Sequence, residues 1–263
     1  MGNKEQINKH GLKRRVPEPI QREIRQRCGF GCVICGLAFY DYEHFDPEFS
    51  EATAHNSEGM TLLCSQHNQS KERGRLSTET VKRANENPKC LQQGFANEFF
   101  DFHDKPISVL FSGVEFYDCQ HLIVINGTPL LSVLPPDKIG EPVKLSGFLC
   151  DSQGRESISI VNNQFSVNSG NWDVDMNKNV VTFREKLRDI SLQIKLDPPK
   201  GIVIERINML FRGVRLKGNK DTLEISYNNG RSWGRFSSCS IRHGYAGIVI
   251  GNGPIIANDE YYE

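Results

Sequence analysis

Four residues carry the strongest chemical signal in this chain. Cys32 and Cys35 form a CxxC followed by Gly36, and Cys64 and His67 form a CxxH further along. Three thiols and an imidazole at these spacings make two half-sites that together match the tetrahedral preference of Zn²⁺. A site closed by four protein ligands has no open coordination position, so the zinc expected here is structural and any chemistry must come from neighbouring residues. The segment between the half-sites holds candidates. It contains the dipeptide Glu43-His44, six acidic residues from Asp41 to Glu58, and no lysine or arginine. A histidine with an ordinary pKa of roughly 6.5 can take a proton from water at neutral pH. A carboxylate or amide oxygen suits a hard ion such as Mg²⁺ or Mn²⁺. Phosphodiester hydrolysis needs both a deprotonated water and a cation for the charge that builds on phosphate and leaving group.

The runs CVICG, YEHFDP and TLLCSQHNQSKERGR resemble the HNH endonucleases, over about residues 17–90. The resemblance rests on CxxCG, on an acidic residue followed by His44 with Pro47 shortly after, on the apolar Leu62-Leu63 before Cys64, and on a ligand followed by Asn68 and Lys71. It implies a ββα-metal domain pinned by a zinc knuckle, with His44 as general base and with Glu43 and Asn68 holding a catalytic Mg²⁺ or Mn²⁺. The implied substrate is DNA, cut to leave a 5′-phosphate and a 3′-hydroxyl, with RNA left open as a second partner. The middle asparagine of the family signature falls on Gly59, so His55 or Asn56 is expected to support the loop in its place. In a helix from residue 65, Glu72 shares a face with Asn68 and becomes a further candidate ligand. Lys71, Arg73 and Arg75 extend a cationic edge for a nucleic-acid backbone. Gly59 also suits an alternative reading, a zinc-knuckle module that binds nucleic acid or protein without turnover.

These residues need elements to hold them. PEPIQREIRQRCG places Ile20 and Ile24 four apart between Pro17 and Gly29, which predicts a short amphipathic helix packed against the knuckle. LAFYDYEHF reads as a strand with His44 near its end, Thr61–Cys64 as the returning strand, and Ser65 onward as the helix. Ser77 is placed to cap a further helix, TETVKRANEN. Residues 1–16, which include Lys13-Arg14-Arg15, are expected as a flexible basic tail and residues 17–98 as the nuclease domain.

Beyond residue 98 the sequence changes to short β-branched and aromatic runs such as HLIVI, VVTFRE and GIVIERINMLF. They are separated by turn signals at Asn126-Gly127, Asp151–Gly154, Asn177–Asn179 and Asn229-Gly230. The fold class expected is therefore α+β: a small ββα-metal HNH domain with a structural zinc knuckle, then a mostly antiparallel all-β domain over 99–263, sandwich or barrel-like. That second domain is assigned partner binding, homo-oligomerisation or sensing. Its His103, His121, His243, Trp172 and Trp233 are scattered and read as ordinary packing residues.

Composition sets bounds on function. Lysine plus arginine equals aspartate plus glutamate at 32 each, so affinity for nucleic acid must come from a local patch rather than a global field. No apolar run reaches the roughly 18 residues of a membrane helix, and the first residues lack a signal peptide's apolar stretch, which predicts a cytoplasmic protein without membrane partners. Cys28, Cys90, Cys119, Cys150 and Cys239 have no framework spacing and read as reduced thiols. A restriction or anti-phage setting is the expectation for a nuclease joined to a β-rich module.

Overall fold

The computed structural model describes residues 6–228 and 230–256. Asn229 of the expected Asn229-Gly230 turn and the terminal NDEYYE lie outside the described residues. The chain divides into two compact units, residues 1–98 with 167–176, and residues 99–166 with 177–263.

The first unit is built around α1 (Glu18–Cys28), the antiparallel pair β1 (Asp41–His44) and β2 (Met60–Leu63), then α2 (Ser65–Glu72), α3 (Thr78–Glu86) and α4 (Lys89–Gln93). Pro17 precedes α1 and Gly29, in the left-handed region at φ 72°, ends it, as a conformation without a Cβ penalty should. Ile24 is fully buried among Val33, Met60, Leu62 and Val81, with Ile20 packed at the edge. Burying one such isoleucine contributes about 2–3 kcal/mol. Ser77 caps α3 by accepting a hydrogen bond from the Thr80 amide at 3.1 Å.

Arg25 sits on the same helix and is fully buried. Its Nε and Nη2 donate to the two carboxylate oxygens of Asp173 at 2.7 and 2.9 Å, its Nη1 donates to the Tyr42 hydroxyl at 2.8 Å, and Nη2 also reaches Glu18 at 2.8 Å. Burial, the largest single influence, would lower the Arg25 pKa, but the hydrogen bond to Asp173 together with the charges of Tyr42, Tyr40 and Asp173 outweighs it and holds the guanidinium charged. A charge this deep survives only when paired. The segment 167–176 therefore belongs to this unit although it lies far along the chain.

Residues 6–14, expected within a flexible tail, are docked. Ile7 and Lys13 form an antiparallel bridge, and the Asn8 side chain donates to the carbonyls of Phe49 and Ala52 at 2.6 and 2.7 Å. The terminal Lys13-Arg14-Arg15 run thereby lies beside the acidic segment between the half-sites.

In the second unit the strand Val114–Ile125 pairs antiparallel with Ser108–Phe111 and parallel with Cys239–Ile250. Ser108–Phe111 in turn pairs parallel with Gly201–Phe211, which pairs antiparallel with Asp189–Asp197. On the other side the order continues through Leu131–Leu134, Lys144–Cys150 and Glu156–Val161. One continuous hydrogen-bonded order with two parallel joins is neither a two-sheet sandwich nor a purely antiparallel barrel.

The expected fold class is thus corrected. Strands take 46% of the chain and helices 14%, and the molecule is mostly β, not a small ββα HNH domain followed by a β domain. The reason is long-range pairing: Gly201 returns to Ser108, and Cys239–Ile250 returns to Val114–Ile125. Turn signals encode hairpins, whereas parallel strands need distant crossovers that leave no local mark. Among the described residues no helix is long and apolar enough to cross a membrane.

Candidate metal centre and adjoining cleft

Cys32, Cys35, Cys64 and His67 converge, with their ligand atoms all within 4.8 Å of one another. The Cys35 and Cys64 sulfurs are 3.7 Å apart, and His67 Nδ1 lies 3.2 Å from Cys64 Sγ and 3.5 Å from Cys32 Sγ. Two sulfurs at roughly 2.3 Å from one ion and at the tetrahedral angle would be separated by about 3.8 Å, so this quartet could hold zinc with little movement. The Cys32 thiol is drawn down to about 4, chiefly by its hydrogen bond with Cys35, which is itself pushed up.

Local structure explains the convergence. Gly36, at φ 84°, lets the chain fold back so that its amide donates to the Cys32 carbonyl at 2.9 Å, and the Cys32 amide donates to the Leu37 carbonyl at 2.8 Å. A Cβ at Gly36 would also stand 2.5 Å from Gln93 Nε2. Cys64 is the N-cap of α2, which places His67 in the first helical turn on the same side. The Val33 amide donates to the Leu62 carbonyl at 3.0 Å and ties the knuckle to β2. Cys28 is buried outside the quartet, with its thiol pKa raised by burial.

The residues assigned catalytic roles from sequence do not converge in the expected way. Alternation along β1 puts Asp41 and Glu43 on one face and Tyr42 and His44 on the other. On the first face Asn68 Nδ2 reaches Asp41 Oδ2 at 3.5 Å, while Lys71 Nζ donates to Glu43 Oε1 at 2.9 Å and to Glu48 Oε1 at 3.2 Å. Asn68 Oδ1 is buried with no hydrogen-bond partner. Glu43 and Asn68 are therefore bound to different groups, and a lysine ammonium holds the carboxylate expected to hold a divalent ion. Among the described residues the Cys/His quartet is the only cluster of three or more His, Cys, Asp or Glu ligands. A catalytic Mg²⁺ or Mn²⁺ on Glu43, Asn68 and Glu72 is thus unsupported, with Glu43 held by Lys71.

On the opposite face His44 is 6% exposed and its Nε2 lies 3.1 Å from His55 Nδ1, while His55 Nε2 lies 2.9 Å from the Lys13 carbonyl. A carbonyl oxygen only accepts, so His55 Nε2 carries a proton. In the neutral ring His55 Nδ1 is then an acceptor, His44 Nε2 is its donor, and the free lone pair of His44 falls on Nδ1. Burial pushes the His44 pKa down to about 4, helped by His55, Arg14 and Lys71. The imidazole is neutral at physiological pH.

A cleft of about 490 Å³ adjoins these groups, lined by Arg14, Glu43, Glu48, Phe49, Lys71 and Glu72 among others. His44 does not line this cleft and meets it only through Phe49, whose ring lies 5.4 Å from the His44 ring and carries the Arg14 guanidinium at 5.1 Å. Arg73 and Arg75 lie exposed just beyond α2. Arg14 belongs to the run expected within a flexible basic tail, because a basic run beside a polar terminus carries no sign of docking. The only pointer was its position upstream of a segment rich in acids.

Gly59 has a steric explanation. Its carbonyl accepts from the amides of Phe45 and Asp46 at 3.0 and 3.2 Å, and an added Cβ would lie 1.9 Å from the Asp46 carbonyl oxygen. No asparagine fits there. Asn56 caps the short turn Ser57–Gly59 by accepting from the Glu58 amide at 3.1 Å, and His55 reaches the His44 ring itself.

No protein-family model, curated protein or solved structure matches this chain, so its chemistry has to be argued from these residues alone.

Proposed function

We propose that this protein is an endonuclease that hydrolyses phosphodiester bonds in DNA, with His44 as general base and a structural zinc on Cys32, Cys35, Cys64 and His67. The observation that carries the reading is the chain of hydrogen bonds from the Lys13 carbonyl through His55 to His44, whose ring packs on Phe49 at the wall of a cleft bearing Arg14 and Lys71. It fixes one tautomer and leaves a proton-accepting nitrogen on a neutral, buried ring. In the reaction His44 Nδ1 takes a proton from water as the water oxygen bonds to phosphorus. The bond from phosphorus to the 3′ oxygen breaks, and that oxygen is protonated from solvent. Arg14 and Lys71 neutralise charge on the phosphate, and Arg73 and Arg75 meet the flanking backbone. Zinc, when bound, supplies no reacting group and fixes the strand and helix that carry these residues.

His55 is a positioning residue. His55→Asn should lower kcat more than it raises KM, because an asparagine cannot link the Lys13 carbonyl to His44. Plasmid nicking by the zinc-loaded protein, set beside His44→Ala and His55→Asn, tests the assignment. Equal nicking by wild type and His44→Ala would remove it. The alternative, a zinc module that binds without turnover, is favoured by one observation, the capture of Glu43 by Lys71. It predicts DNA retention that His44→Ala leaves unchanged and no cleavage by either protein.

A further inference from the structure

Resting on the phosphodiesterase reading, we propose that the Lys71 ammonium takes the place of the divalent ion, so that DNA is cut with no metal at the reacting phosphate and with Glu48 as a built-in competitor for the phosphate site. Lys71 is well enclosed for a lysine, its side chain 7% exposed, and its Nζ is aimed by Glu43, whose side chain is 11% exposed. Glu48, the second carboxylate on the same nitrogen, is 60% exposed. The two partners are thus unequal. Glu43 is an enclosed support, whereas Glu48 is an exposed surface carboxylate that loses little on leaving. A phosphodiester entering the cleft replaces Glu48 on Lys71 and meets Arg14 from the Phe49 side. One ammonium and one guanidinium then face one monoanionic phosphate, which is the charge balance a single bound divalent ion would otherwise supply.

The geometry argues against an ion in the same place. Glu43 is already neutralised by Lys71, Asn68 is turned toward Asp41, and no second ligand cluster forms among the described residues. To seat an ion at Glu43, the enclosed ammonium would first have to be expelled into solvent or toward Glu48 alone.

The test uses the full chain loaded with zinc and freed of Mg²⁺ and Mn²⁺ by passage over a chelating resin. Nicking of supercoiled plasmid is followed with no added metal and with increasing Mg²⁺, while Mn²⁺ binding is followed by the loss of its free electron-paramagnetic-resonance signal. The expected result is cleavage that changes less than about twofold on adding Mg²⁺, with no stoichiometric Mn²⁺ bound. Lys71→Met should lose on the order of 100-fold in kcat, as expected for removal of one charge-stabilising donor. Lys71→Arg keeps the cation and should retain part of the activity, which separates loss of charge from loss of fold. Glu48→Gln should lower KM by removing the competitor. Cleavage strictly dependent on added Mg²⁺ or Mn²⁺, with Lys71→Met as active as wild type, overturns the proposal while leaving the nuclease reading intact. Absence of cleavage under every condition, with zinc content and fold confirmed, overturns the nuclease reading and this proposal with it.

Discussion

Protonation of His44 should be a measurable load on folding, and its size follows from the structure. In the unfolded chain a histidine has a pKa of roughly 6.5, whereas in the folded protein burial and the neighbouring His55, Arg14 and Lys71 lower His44 to about 4. Below the unfolded value the unfolded state binds the extra proton, so stability falls as pH falls through 6.5 and the loss levels off near 4. Between pH 8 and pH 5 the loss assigned to this one group is about 2 kcal/mol. Urea unfolding of wild type and His44→Gln at the two pH values isolates it, because glutamine keeps a donor toward His55 but cannot titrate. Histidines remote from His44 and the Cys/His quartet acidify alike in both proteins and cancel in the difference, and a His55→Asn background removes the coupled partner. Wild type should lose about 2 kcal/mol more than the variant. In a parallel proton NMR titration, the imidazole resonance missing from His44→Gln should stay neutral down to pH 5. If both proteins lose the same stability, or if that resonance titrates near 6.5, the burial and the tautomer chain argued for His44 are wrong.

Four further outcomes follow from the same geometry. Arg25→Met should destabilise the protein by roughly 3–5 kcal/mol in urea, since it removes the two-pronged partner of the fully buried Asp173 carboxylate and leaves the longer Arg22 contact at 3.5 Å; Arg25→Met with Asp173→Asn should recover part of that loss. Gly59→Ala should cost more than about 2 kcal/mol, because its Cβ would strike a backbone oxygen that cannot rotate away, and Gly59→Asn should do no better despite restoring the family signature. Metal analysis should find one zinc per chain, absent from Cys64→Ser, with hydrogen exchange accelerating in β2 and α2 once zinc is removed. If His44 is the base, kcat/KM should stay level from pH 8 to about pH 5 and decline as pH falls toward 4, and a decline centred near 6.5 would contradict the depressed pKa.

The Cys/His quartet was legible from spacing because both half-sites are local: CxxC with a following glycine, and CxxH in the first turn of a helix, each place two metal-ligating groups without help from distant residues. The same holds for α1, whose proline, paired isoleucines and glycine mark its start, buried face and end. The arrangement of Glu43, His44 and Lys71 was less legible. Glu43 and His44 are neighbours in sequence, yet strand alternation sends them to opposite faces, and only the packing of α2 against β1 delivers Lys71 to Glu43. Gly59 could be seen as a departure from a motif, but the reason for it is a carbonyl thirteen residues away in the chain, at Asp46.

Taken alone, the amino-acid order determined where ligands of the right chemistry recur, which stretches are helical and that the later chain is rich in strands, since these depend on spacing and on the intrinsic preferences of neighbouring residues. Tertiary structure decided what no local pattern encodes. It docked Arg14 beside His44, drew Asp173 back to the buried charge of Arg25, and joined strands separated by some ninety residues in parallel. Each of these depends on burying a charge or filling a sheet edge against a partner remote in sequence, and such partners are chosen by the energy of the whole fold rather than by the residues on either side.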